Sequence, residues 1–151
     1  MSYELERSIG FKINQTANKI NNKYTKMLQP FNIAPEQRAA LEIIKYESDV
    51  NQTKIATILG KDKTTICRTL NALETKSFIK KSQKDKRTNL IEITPEGENI
   101  LDKCSISVKD FRKNLSSNLK DEELKELIIL LEKVALSLGE DSWKKVLITY
   151  I

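Results

Sequence analysis

The chain has 151 residues, 39% hydrophobic and 31% charged, a balance that fits one folded domain and excludes a disordered segment. Its two cysteines, Cys67 and Cys104, lie 37 positions apart and histidine is absent, so neither a zinc site nor a His-dependent triad can be assembled. The net charge of +5 is concentrated: residues 50–93 hold ten Lys or Arg against four Asp or Glu, +6 in all, and the remainder sums to −1.

Only 4 glycines and 3 prolines interrupt the sequence, which predicts a mainly α fold. Ile9, Ile13, Ala17, Ile20, Tyr24 and Leu28 recur at helical spacing, so one amphipathic helix is expected from about Glu4 to Leu28, ended by "QPFNIAP". Pro35, favoured at a first helical position, opens a second helix expected to bury Leu41, Ile44 and Tyr46. Asn51 is placed to cap "QTKIATILG", where Ile55, Ile58 and Leu59 face inward and Gly60 supplies a left-handed closing residue. After the break, Asp62 is placed to cap "KTTICRTLNALE", with Ile66, Leu70 and Leu73 forming an apolar stripe. Two short helices joined by a tight glycine turn make a helix-turn-helix candidate.

The face opposite that stripe carries Thr64, Cys67, Arg68 and Asn71, with Lys63 and Thr65 at its N-terminal end and no acid before Glu74. A solvated helix face this charged would ordinarily pair Glu with Lys four residues on, whereas an acid-free, hydroxyl-rich face can approach a polyanion. Arg68 suits guanine, Asn71 adenine, and the threonines a phosphate or a thymine methyl. The plainer alternative is a modest polar face with no partner.

Two β-type runs follow, Phe78 to Lys81 and Asn89 to Ile93, around the turn "SQKDKRTN". A hairpin directly after a helix-turn-helix is a wing, and its tip offers Lys84, Lys86 and Arg87 to a minor groove. Asp85, two residues from Arg87, is placed to orient that guanidinium. Thr94, Pro95 and Glu96 then start a helix expected to run to about Leu115, with Ile100, Leu101, Cys104, Val108, Phe111 and Leu115 on one side. The last clear helix starts at Asp121, Glu122 and Glu123. Its Leu124, Leu127, Ile128, Leu131, Val134, Ala135 and Leu138 form a band wider than one neighbour would cover. The excess predicts a homodimer interface built from the terminal helices, with Ile9, Ile13, Phe111, Leu124, Leu127, Ile128, Leu131 and Leu138 in it.

With this order of elements, "DKR" at the wing and "TPEG" opening the next helix, the chain resembles the MarR family of transcriptional regulators over about Ile9 to Leu138. The resemblance is sharpest in "NQTKIATILGKDKTTICRTLNALETKSFIKKSQKDKRTNLIEITPEG". It implies a winged helix-turn-helix at residues 31–94, flanked by a helical dimerisation region at 1–30 and 95–151. It further implies a homodimer on a pseudo-palindromic operator in double-stranded DNA, acting as a repressor and released by a small-molecule effector or by oxidation. The helix matching Lys63 to Glu74 would enter the major groove. Arg87 would enter the minor groove with Asp85 in support, and Asn51, Gln52 and Lys81 complete the expected DNA contacts.

Ser77 departs from the family, standing where a glycine is usual; a left-handed L-residue there costs about 1 kcal/mol. Ala34 replaces a usual capping Ser or Thr, the wing is slightly short, and residues 139–151 extend beyond the usual end. Neither cysteine occupies the N-terminal helix where redox-sensing relatives carry theirs, so both read as core or incidental. Tyr24, Phe31, Tyr46 and Phe111 are pocket candidates or simply core. The absence of a transmembrane run or secretory leader leads to the expectation of a cytoplasmic protein without membrane partners. No enzymatic activity, cofactor or metal is expected. The competing expectation is a winged-helix interaction module that applies its basic face to a protein or an acidic surface without a specific operator.

Overall fold

The computed structural model describes residues 4–83, 85 and 89–139. Its N-terminal segment is divided at Ser8 into α1 (Glu4–Arg7) and α2 (Ile9–Leu28) instead of forming one helix. Ser8 has an extended backbone and its Oγ accepts from the Phe11 N–H at 3.4 Å, so a local cap competes with helical continuation. A 3₁₀ turn, Gln29–Phe31, ends the segment with Asn32 in the left-handed conformation.

Helix α3 (Pro35–Tyr46) is the hub, packing against α2, α4 (Gln52–Leu59), α5 (Lys63–Thr75), strand β2 (Asn89–Ile93) and α6 (Pro95–Leu115). Ala40, Leu41, Ile43 and Ile44 fill its inner face. Tyr46, expected inside, is 68% exposed. It stands five residues from Leu41, about 140° around the helix, and its ring lies 5.5 Å from the Lys45 ammonium. Without a capping side chain at Ala34, the α3 start is held differently: Gln37 Oε1 accepts from the Ala34 N–H at 3.2 Å and from Lys76 Nζ at 3.0 Å.

Strand β1 (Ile79–Gln83) pairs antiparallel with β2, Ile79 opposite Ile93 and Lys81 opposite Ile91. The observed first strand starts one residue after the expected run because Phe78 closes α5 instead, its N–H donating to Leu73 O at 2.9 Å. Ser77 has φ 62, the left-handed conformation that its position called for. The Ile91 N–H reaches Val50 O at 3.1 Å, so the free edge of β2 is tied to the segment before α4. Gly97 explains the glycine of "TPEG": a Cβ there would lie 2.2 Å from Phe78 O.

A single core joins Leu28, Ile33, Leu41, Ile55, Ile66, Leu70, Leu73, Ile79, Leu101, Cys104 and Val108. The fold is therefore mainly helical with one two-stranded hairpin. Leu115, expected on the apolar side of α6, is exposed at the helix end. Helix α7 (Asp121–Leu136) contains no buried residue. Of the interface candidates, Ile9, Ile13, Leu127, Leu131 and Leu138 are exposed in the single chain, and Leu138 is 87% so. Leu124 and Ile128 are half-buried, and Phe111 packs on Tyr24 with ring centroids 4.9 Å apart. Among the described residues no helix is long and apolar enough to cross a membrane.

Candidate nucleic-acid interface

The α4–turn–α5 unit is fixed by its own polar side chains. Asn51 Oδ1 accepts from the Lys54 N–H at 2.8 Å, and Gly60, at φ 61, closes α4. Asp62 Oδ1 accepts from the Thr65 N–H at 2.7 Å and its Oδ2 from the Thr65 hydroxyl at 3.0 Å. Those hydrogen bonds hold the Asp62 carboxyl below its ordinary range. Gln52 Nε2 donates to Lys63 O at 2.9 Å, tying the two helices across the turn. Thr69 Oγ1 lies 3.2 Å from Glu36 Oε1 and 3.1 Å from Thr65 O, which sets α5 against α3.

This leaves Lys63, Thr64, Cys67, Arg68 and Asn71 exposed along one face of α5. Arg68 makes no hydrogen bond or ion pair among the described residues. Lys81, exposed on β1, donates from Nζ to Asn71 Oδ1 at 3.0 Å and lies 3.9 Å from Glu74. The base of the wing is thus joined to the helix face. Three candidates serve the scaffold: Asn51 as cap, Gln52 as bridge and Thr65 turned toward Asp62. Asp85 is exposed at the hairpin tip, whereas Lys84, Lys86 and Arg87 lie outside the described residues.

Two residues that sequence reasoning missed, Thr53 and Asn89, join Asn51, Gln52, Lys81 and Ile91 around a cleft of about 380 Å³ between α4 and the hairpin. Asn89 opens β2 and Thr53 lies in the first turn after a capped start, the only signals that would have pointed to them. A second groove, about 620 Å³, runs between α2 and α6, with Ile20, Phe111 and Leu115 on its walls and Lys19 and Lys23 beside them. Of the four aromatic pocket candidates, only Phe111 lines it.

An ionic cluster between α3 and α6 had no periodic signature. Glu42 on α3 accepts from Arg38 Nη1 at 2.6 Å and from Arg112 Nη2 of α6 at 3.2 Å. Burial pushes the Glu42 carboxyl up, but the Arg38 hydrogen bond and the two guanidinium charges outweigh it and leave the group below its ordinary range. Arg38 is buried and its Nε has no hydrogen-bond partner among the described residues. Burial raises the Tyr24 phenol above its usual value next to this pair.

A MarR family model matches residues 33–88. The uncharacterized HTH-type transcriptional regulator YwoH of Bacillus subtilis is 28% identical over 124 residues, covering 82% of this chain and 90% of that protein. Among solved structures, a MarR/EmrR family transcriptional regulator from Acinetobacter sp. ADP1 superposes with a TM-score of 0.83 at 30% identity, over 89% of this chain and 96% of its own. A mutant of MarR from E. coli complexed with operator DNA superposes with a TM-score of 0.76 at 26% identity, over 83% and 92% of the two chains.

Proposed function

Because the chain belongs to the MarR family of transcriptional regulators, we propose that it is a repressor that binds a pseudo-palindromic operator as a homodimer. The observation that carries this reading is the exposed face of α5, free of acids before Glu74, with Arg68 unengaged among the described residues and the wing joined to the same face through Lys81. In this reading α5 lies in the major groove, Arg68 reads a base edge, and Lys63 and Thr64 contact phosphates. The wing tip supplies Lys84, Lys86 and Arg87 to the neighbouring minor groove, with Asp85 orienting Arg87.

Dimerisation through residues 1–30 and 95–151 is supported by α7. A 16-residue helix with no buried side chain and with Leu127, Ile129, Leu130 and Leu131 exposed has too little packing within its own chain to hold it. A second copy covers that surface and sets two α5 helices about one DNA turn apart, roughly 34–36 Å. Release by an effector is assigned to the α2–α6 groove, whose apolar wall and two lysines suit an amphipathic organic anion.

Selection of bound duplexes from a random pool tests the proposal. The expected product is a palindrome with half-sites one turn apart. Recovery of duplexes without a consensus would leave only a basic surface with no operator.

A further inference from the structure

The amide of Asn71 is oriented by the wing. Lysine only donates, so the Asn71 atom 3.0 Å from Lys81 Nζ is the carbonyl oxygen, and the Nδ2 end points back along α5 to Cys67 Sγ at 3.8 Å. Lys81 is held in place from a second side by the Glu74 carboxylate at 3.9 Å. Asn71 and Cys67 are both exposed on the face assigned to DNA. A free asparagine selects adenine by accepting from N6 while donating to N7. Here the accepting atom already takes a bond from a cation, and that ammonium would stand beside the N6 amino group of an adenine.

Resting on the operator-binding reading above, we propose that Asn71 and Lys81 form one specificity unit that presents donors only and selects guanine, not the adenine expected of asparagine. Guanine offers two acceptors, O6 and N7, to the Asn71 Nδ2 donor, whereas adenine sets its N6 donor against an oxygen that Lys81 already occupies. Asn71 touches the base, and Lys81 is a positioning residue that acts through it. The wing strand thereby changes which base the helix reads, without Lys81 having to contact a base itself.

The test measures binding to the selected operator and to single-base variants at fixed salt. The position read is the one at which Asn71→Ala loses preference. There the wild-type protein is expected to prefer guanine over adenine by about tenfold. Inosine, which keeps O6 and N7, should replace guanine without loss, and 7-deazaguanine should not. Lys81→Met frees Oδ1 and should move the preference to adenine, while Lys81→Arg, which keeps a donor, should retain guanine. A wild-type preference for adenine, or a guanine preference unchanged by Lys81→Met, overturns the inference. If Asn71→Ala alters preference nowhere while Arg68→Ala does, the inference falls and the operator-binding reading stands. If neither variant changes preference on any duplex, the reading itself falls.

Discussion

At Ser77 the backbone carries a strain that its side chain does nothing to offset. Its φ of 62 places an L-residue in the left-handed region, yet both anchors at the site are backbone atoms: the N–H donates to Glu74 O at 2.9 Å and the carbonyl accepts from Thr94 Oγ1 at 2.6 Å. Ser77→Gly keeps both and removes the Cβ clash, so it should stabilise by about 0.5–1 kcal/mol, read as a rise of about 1–4 °C in Tm. Gly97 is the opposite case, because its conformation is ordinary and its surroundings are not. A Cβ would lie 2.2 Å from Phe78 O and 2.8 Å from Ile93 Cγ1, both part of the hinge that sets the wing on α6. Gly97→Ala should cost about 1–3 kcal/mol in denaturant unfolding, with the backbone contact pushing it to the upper end. The Ser77 problem was legible through the family resemblance, which puts a glycine at that position. Nothing in the local pattern gave a reason for Gly97, because that constraint comes from a carbonyl 19 positions away.

At the scale of elements, what could be read from sequence was what depends on neighbours within a few residues. The caps Asn51, Asp62 and Thr94, the Gly60 closure and the Pro35 and Pro95 helix starts all stand as the local pattern implied. The Ser8 break was missed because apolar spacing runs through it, and Tyr46 was placed inside because residue type outweighed helical phase. The Glu42 cluster and the Lys81–Asn71 bond join residues far apart in sequence, which no periodicity reveals. The cap of α5 makes a pH prediction. Hydrogen bonds lower the Asp62 pKa in the folded chain, so its stabilising contribution is complete above the ordinary carboxylate value and is lost as pH falls through the depressed one. Asp62→Asn retains an accepting oxygen for the Thr65 N–H but does not titrate. Its unfolding midpoint should depend less on pH in the acid range than that of the wild type, and parallel curves for the two proteins would count against the cap as the source.

For the molecule as a whole, the fold class could be read from sequence, and the apolar excess of the last helix pointed beyond one chain. The structure sharpens that argument, because α7 has no buried residue and Leu127 and Leu131 remain 42% and 43% exposed. Replacing both with lysine should shift sedimentation equilibrium from dimer toward monomer at micromolar concentration. A dimer of unchanged affinity would remove α7 from the interface. The α3 hub links α6 to α5, through Glu42 to Arg112 on one side and Glu36 to Thr69 on the other. The central claim is that a two-fold molecule reads sequence through the exposed face of α5, and Arg68 tests it most directly. Binding of Arg68→Ala and wild type should be compared on the operator, on its single-base variants and on a scrambled duplex at one salt concentration. The account predicts a loss of about 1–3 kcal/mol on the operator, a smaller loss on the scrambled duplex, and relaxed preference at one position in each half-site, related by the two-fold axis. Equal losses on operator and scrambled DNA would contradict it.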